Sequence, residues 1–180
     1  MLRFNIISMK LLVAYYSRTN ITKKLAERIA GEINADIEEI IPKVNYQGKI
    51  GYVRGGKDAI SEKIVDLEGL KHDPADYDVV YIGSPVWASK AANPVISYLK
   101  ANEGKFNNVK FFMTAGSSGF ESSFEQMEKY SVKPLKTLAL TTKQVKKDDY
   151  ALGIPLSSPA LKSPSIQSHT GLSPAFSLQT

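Results

Sequence analysis

One stretch, residues 11–30, constrains the fold of this chain more than any other. It opens with LLVAYY, an apolar run of strand length, and a turn rich in hydroxyl residues follows. The next residues have the apolar spacing of an amphipathic helix: Ile21, Leu25, Ala26, Ile29, Ala30 and Ile33. A strand, a turn and a helix in direct succession aim free backbone N–H groups at one point, where an anion can bind.

The turn over residues 17–22 predicts a phosphate cradle. The hydroxyls of Ser17, Thr19 and Thr22 can add hydrogen bonds to those from the backbone. The alternative is an ordinary strand-to-helix turn, in which Thr19 or Asn20 only caps the helix. The chain contains neither G-x-G-x-x-G nor G-K-[ST]. A cradle here would therefore rely on neutral donors, which suits a single phosphate group.

The remaining pattern alternates strands with helices. Further strands are predicted at residues 36–41, 77–82, 109–114 and 135–142. Residues 42–56 are interpreted as a long connection, and residues 56–63 have moderate helical character. Helices are predicted to begin at Asn93-Pro94 and at a capping box, Ser122-x-x-Glu125. This alternation predicts an α/β fold, a three-layer, doubly wound, five-stranded parallel sheet. Ligands would bind at the carboxyl ends of its strands.

Two motifs carry a resemblance to a known family. The Ser17-x-Thr19-x-x-Thr22 turn resembles the FMN-phosphate loop of flavodoxins, and the run Gly83-Ser84-Pro85-Val86-Trp87-Ala88 resembles their flavin-ring loop. The resemblance covers residues 9–149. Asn20 stands where the family usually has Gly, and Ile21 where it usually has Asn. The resemblance implies the strand order 2-1-3-4-5 and FMN as the cofactor.

The resemblance also implies which residues contact FMN, grouped in three loops. They are Ser17, Arg18, Thr19, Asn20, Ile21 and Thr22; then Ser84, Pro85, Val86, Trp87 and Ala88; and then Thr114, Ala115, Gly116, Ser117 and Gly119. Trp87, the single Trp, would stack on the flavin or touch it edge-on. The alternative is that its ring packs within its own loop.

The composition excludes several kinds of chemistry. The chain has no Cys, and its two His residues, His72 and His169, are far apart in sequence. We therefore expect no catalytic side chains and no metal site, and any redox chemistry must come from a bound cofactor. This favours an electron carrier between redox proteins over an enzyme. Two alternatives stay open: an NAD(P)H:quinone-type FMN oxidoreductase, with residues 42–56 as the wall of a second pocket, and a binding module that has lost the cofactor.

Charge and hydropathy limit the classes of partner that the chain is expected to have. The formal net charge is +5, but the cations are scattered among acids, which is typical of solvated faces and not of a nucleic-acid site. No apolar run is long enough to span a membrane, and the N-terminal residues do not form a signal peptide, so we expect a cytoplasmic protein.

The two ends of the chain differ from the central domain. Residues 1–8 are interpreted as an extension, residues 9–149 as the flavodoxin-like domain and residues 150–180 as an irregular tail. Pro residues at 155, 159, 164 and 174 exclude a continuous helix in the tail. The final helix of the fold is therefore expected to be missing. A sheet face left bare would favour self-association into a homodimer.

Overall fold

A computed structural model describes residues 9–152 of the 180-residue chain. Its helices and strands are β1 (Leu11–Tyr15), α1 (Ile21–Ile33), β2 (Asp36–Glu39), α2 (Gly48–Ile60), a 3-10 turn (Pro74–Asp76), β3 (Val79–Trp87), β4 (Lys90–Ala91), α3 (Asn93–Ala101), β5 (Val109–Ala115), α4 (Phe120–Glu128), β6 (Thr137–Thr141) and α5 (Thr142–Lys147). The predictions for residues 1–8, and those for the tail from residue 153 onward, lie outside the described residues.

The parallel sheet has the order β2-β1-β3-β5-β6. This is the predicted order 2-1-3-4-5, because β4 is only a two-residue strand that pairs antiparallel with the end of β3. The α/β doubly wound fold is therefore confirmed, and β6 lies at the edge of the sheet as expected. In this order β1, β3 and β5 are neighbours, so the three predicted ligand loops leave the same edge of the sheet side by side.

Helices cover both faces of the sheet. Along β1, Leu12 and Ala14 pack with residues of α2, α3 and α4, whereas Val13 and Tyr15 pack with residues of α1 and α5. This alternation is what a strand buried on both faces requires. The predicted inner face of α1 is confirmed by the burial of Leu25, Ala26, Ile29 and Ala30.

The second helix begins earlier than predicted. The sequence analysis interpreted residues 42–56 as a connection because they contain several glycines, yet α2 starts at Gly48. Two of these glycines are contact points. A Cβ on Gly51 would overlap the backbone of Tyr46, and one on Gly55 would lie 3.0 Å from the indole ring of Trp87. The helix tolerates its glycines because their small size lets it lie close to the rest of the domain.

Two predicted helix starts are displaced. The N-cap of α3 is Ala92, one residue before the predicted Asn93. The side-chain amide of Asn93 instead donates to the carbonyl oxygens of Asp58 and Lys63, which ties α3 to the end of α2. The predicted capping box at Ser122 and Glu125 is wrong, because α4 begins at Phe120 and Ser122 lies inside it.

A short final helix follows the edge strand, although none was predicted. Thr141 and Gln144 form a capping box that starts α5, and the helix ends at Lys147, before the Pro-rich tail. Val145 of this helix is buried, and Leu152, only 6% exposed, packs in the same cluster of apolar residues. Six helical residues and Leu152 thus cover part of the sheet face that was expected to be bare. No helix among residues 9–152 has the length and apolar character needed to cross a bilayer.

Candidate functional site

The turn after β1 leads the chain into α1 without a side-chain cap. Asn20 occupies the N-cap position in a left-handed conformation, with φ of 61°, and neither it nor Thr19 caps the helix through its side chain. Asn20 therefore provides the positive φ that a Gly provides more easily. Asn20 is thus the N-cap residue by position, as the alternative interpretation allowed, but its side chain forms no capping hydrogen bond, and the exposed side chains of Thr19 and Asn20 remain available for other contacts.

The backbone N–H groups of this turn are free donors. Within residues 9–152, no acceptor is found for the N–H groups of residues 17–23, and the first N–H of the helix with a partner is that of Lys24, which donates to the Asn20 carbonyl. These N–H groups lie at the positive end of the α1 dipole. The arrangement is that of an anion-binding turn.

Ser17 strengthens this interpretation. Its side chain is 8% exposed, and its Oγ has no hydrogen-bond partner among the described residues. Leaving a buried hydroxyl unpaired costs about 1–3 kcal/mol, so such a group in a folded protein needs an explanation. A phosphate oxygen would supply the missing partner. Ser17 also lines a cavity of about 260 Å³ between the turn and residues 39–47.

Thr22 connects the first loop to the third. Its Oγ1 lies 2.8 Å from Oγ1 of Thr114, and both side chains are buried. The hydrogen bond fixes the start of α1 to the end of β5. The structure therefore brings these two predicted site residues together, although their separation in the chain is 92 residues.

The predicted ring loop, residues 83–88, forms the first half of a β-hairpin that ends at Ala91. Strand β3 continues to Trp87, and Val86 and Trp87 pair with Ala91 and Lys90. The two-residue turn consists of Ala88 and Ser89, both exposed and both at positive φ, 47° and 61°. These angles are typical of a tight hairpin turn, which usually contains Gly or Asn.

Ser84 and Pro85 begin this hairpin. The Ser84 hydroxyl is buried; it donates to the Pro85 carbonyl and accepts the N–H of Ala92. This side chain is engaged within the fold. The predicted contacts of Ser84, Pro85, Val86 and Ala88 with a flavin stay predictions.

Trp87 lies in an aromatic cluster beneath α2. Its ring centroid is 5.4 Å from that of Tyr16 and 5.0 Å from that of Tyr46, both in edge-to-face geometry. Gly55 lies against the ring, and the side chain is 8% exposed. Packing within the fold, which the sequence analysis kept as an alternative, thus describes its present contacts. Contact with a flavin stays a prediction.

The third loop meets the hairpin turn. Thr114 and Ala115 are buried, whereas Gly116 and Ser117 are exposed. Gly119 has φ of 87° and caps α4; a Cβ there would lie 2.9 Å from Cα of Ser89. The Ser122 hydroxyl also donates to the Ser89 carbonyl. The second and third predicted loops therefore form one continuous edge next to the cradle.

Tyrosines near the site stay protonated at neutral pH. Burial raises the pKa of Tyr16 to about 12, although the neighbouring Arg18 opposes the shift. Burial and the hydrogen bond to Asp58 raise the pKa of Tyr46 above its usual range. Tyr46 is 2% exposed, so its buried ring supports Trp87. The sequence analysis missed this role of Tyr46 because residues 42–56 had been interpreted as a loop. Within residues 9–152, no three His, Asp or Glu side chains are placed to hold a metal ion.

Comparisons with known proteins identify the family. A family model for flavodoxins matches residues 10–151. Among solved structures, a flavoprotein from Lactobacillus acidophilus in complex with FMN is similar at 22% identity, covering 79% of this chain and 99% of that one, with a TM-score of 0.63. A candidate flavoprotein from Bacteroides uniformis gives 22% identity, 79% and 98% coverage, and a TM-score of 0.66. The comparison with curated protein sequences finds no match. The chain belongs to the flavodoxin family.

Proposed function

We propose that this protein binds FMN and uses it to carry electrons between redox proteins. The observation that carries the proposal is the buried Ser17 hydroxyl, which has no partner among residues 9–152 and lies beside a row of N–H groups at the start of α1 that have none there either. Together they form a cradle of neutral donors that suits a single phosphate group. Membership in the flavodoxin family and the FMN bound by the L. acidophilus structure support FMN as the ligand.

The residues of the first loop would hold the phosphate. Ser17 and the N–H groups of residues 18–23 would donate to its oxygens, and the side chains of the half-buried Arg18 and the exposed Thr19 would add contacts from the same turn. The hairpin turn and residues 115–119 would flank the flavin ring. Bound FMN would supply the electron-accepting chemistry, while the loops would orient it and restrict its contact with water.

An electron carrier fits the site better than a reductase does. A reductase acting on NAD(P)H and a quinone needs a second pocket beside the flavin, and residues 42–56 were its candidate wall. Most of that segment is helix α2, which packs directly onto Trp87 and Tyr46.

The proposal is tested first by binding. Isothermal titration calorimetry with FMN and with FAD should show tighter binding of FMN, because the cradle offers donors for one phosphate and has no dinucleotide glycines. Tighter binding of FAD would refute the proposal.

A second assay separates carrier from enzyme. The FMN-loaded protein should be reduced by dithionite and reoxidised by an acceptor protein. It should not catalyse steady-state oxidation of NADH or NADPH by a quinone above the rate of free FMN. Turnover well above that rate would favour the reductase.

A further inference from the structure

Helix α2 has an unusual orientation of its apolar residues. Its buried positions are Gly51, Gly55, Asp58 and Ala59. Its large aliphatic side chains point outward: Ile50 is 79% exposed, Val53 70% and Ile60 69%. Their spacing of three and seven residues places them along one stripe of the helix. A surface helix normally buries such a stripe, so this one is available to a partner.

Cations border the stripe and are not neutralised. Lys49, Arg54 and Lys57 are exposed, and within residues 9–152 none of them forms an ion pair. The single acid of α2 is Asp58, which is buried and accepts a hydrogen bond from Tyr46 at 2.8 Å. We call the set Lys49, Ile50, Val53, Arg54, Lys57 and Ile60 the α2 outer face. It borders an open depression of about 570 Å³.

The positive charge of the α2 outer face limits which kind of partner can bind there. A second copy of this chain would bring three cations against three cations, and juxtaposed like charges at an interface cost several kcal/mol. A complementary partner must instead carry carboxylates around a small apolar patch. Opposite charges would also accelerate its association.

The position of the face points to a redox partner. The inner side of α2 contacts Trp87 and Tyr46 at the ligand edge of the sheet. Arg18, in the cradle turn, lies 5.0 Å from the ring of Tyr52, which is itself on α2 and 63% exposed. A partner on the outer face is thus separated from the candidate site by about one helix diameter, roughly 10 Å.

We propose that the α2 outer face is the docking surface for an acidic electron-transfer protein. The proposal rests on the proposed function for the redox nature of the partner. The charge and the exposed stripe define the chemistry that the partner must offer: carboxylates opposite Lys49, Arg54 and Lys57, and apolar contact with Ile50 and Val53.

A probe of known charge tests the docking surface. We would measure the binding of an acidic plant-type [2Fe–2S] ferredoxin to the full chain by calorimetry at low ionic strength, with the basic protein cytochrome c as the mismatched probe. The ferredoxin should bind, binding should weaken as salt is added, and cytochrome c should not bind. The triple variant Lys49→Gln/Arg54→Gln/Lys57→Gln should weaken ferredoxin binding about tenfold, from three charge contacts of modest strength each.

Two further variants make the test specific. Lys133→Gln/Lys143→Gln/Lys146→Gln removes the same charge from exposed positions on other elements and should change binding by less than about threefold. Ile50→Ser/Val53→Ser keeps all cations and should also weaken binding, because the apolar contact is lost. Urea unfolding of every variant checks that the fold is intact.

The outcomes separate docking from cofactor binding. If both triple Gln variants weakened ferredoxin binding equally, the attraction would come from the net charge of the protein and not from the α2 outer face. That result would overturn the docking surface. Absence of ferredoxin binding would overturn it too, and binding to phosphatidylserine vesicles in its place would assign the face to membranes. FMN titrations of the same preparations are independent: FMN binding without ferredoxin binding refutes the docking surface alone. Ferredoxin binding without FMN binding refutes the proposed function, and with it the redox nature of the partner, while the α2 outer face stands as a docking surface for an acidic protein.

Discussion

The substitution Ser17→Ala should change stability and FMN affinity in opposite directions. Without ligand, the Ser17 Oγ is buried with no partner in the described part of the chain. Removing it therefore removes a desolvation cost and no hydrogen bond. With FMN bound, the same hydroxyl would donate to the phosphate, and the Ala variant would lack that contact.

The expected magnitudes follow from the environment of this side chain. Burying an unpaired hydroxyl costs about 1–3 kcal/mol, and part of the gain is offset by lost packing. We expect the free energy of unfolding of the cofactor-free protein to rise by about 1 kcal/mol, or about 3 °C in Tm for a domain of this size. A hydrogen bond to a charged group contributes about 1.5–3 kcal/mol, so the Kd for FMN should rise about 10- to 150-fold.

Ser97→Ala is the matched control. Ser97 is equally buried, at 3% exposure, but its Oγ accepts the N–H of Val65 and lies on α3. Its loss leaves a buried donor unpaired and should lower stability by about 1–3 kcal/mol, with the Kd for FMN unchanged. Urea unfolding of the cofactor-free proteins and calorimetry with FMN measure both quantities. Destabilisation of the protein by Ser17→Ala, together with an unchanged FMN affinity, would refute the role of Ser17 in phosphate binding.

Four more predictions test other parts of the account. Thr19→Ala should weaken FMN binding but leave riboflavin binding unchanged in calorimetry; equal weakening of both would contradict the phosphate assignment. A Cβ at Gly56 would have no atom within 4 Å, so Gly56→Ala should stabilise the protein by up to about 1 kcal/mol in urea unfolding. A Cβ at Gly55 would lie 3.0 Å from Trp87, so Gly55→Ala should gain less or lose stability. Equal gains in the two variants would refute the close packing of α2. Thr141→Ala should cost about 0.5–2 kcal/mol through loss of the α5 capping box, and Thr142→Ala on the same helix, which loses one hydrogen bond to Ala115 and no cap, should cost less. The free energy of unfolding should fall between pH 10 and about 12, because the unfolded chain releases tyrosine protons near pH 10 while folded Tyr16, with a pKa of about 12, keeps its proton. The fall should be smaller in Tyr16→Phe. An unchanged pH profile in this variant would contradict the contribution of Tyr16.

Much of the fold could be predicted from local patterns. The apolar run at residues 11–16, the 3.6-residue spacing of α1 and the alternation of strands with helices are local signals, and they sufficed for the α/β class and the position of the ligand edge. The strand order came from the family resemblance and not from these local signals. The donor-rich turn at residues 17–22 was equally visible, because its hydroxyl residues are adjacent in the sequence.

The surroundings of Trp87 could not be predicted in the same way. Gly51 and Gly55 suggest a loop when considered alone, and only the tertiary contact with Tyr46 and Trp87 explains a helix there. The hairpin turn at Ala88 and Ser89 lacks the Gly or Asn that would have indicated it. The bond between Thr22 and Thr114 joins distant parts of the chain and has no local signal.

We propose that the turn after β1 holds the phosphate of FMN. The most direct test of this proposal is the ratio of the Kd for riboflavin to the Kd for FMN in the unmodified full chain, measured by calorimetry or by quenching of flavin fluorescence. Because several charge-assisted hydrogen bonds depend on the phosphate, the account predicts one FMN per chain and a ratio of at least about 100. Riboflavin binding as tight as FMN binding, or no binding of FMN, would contradict it.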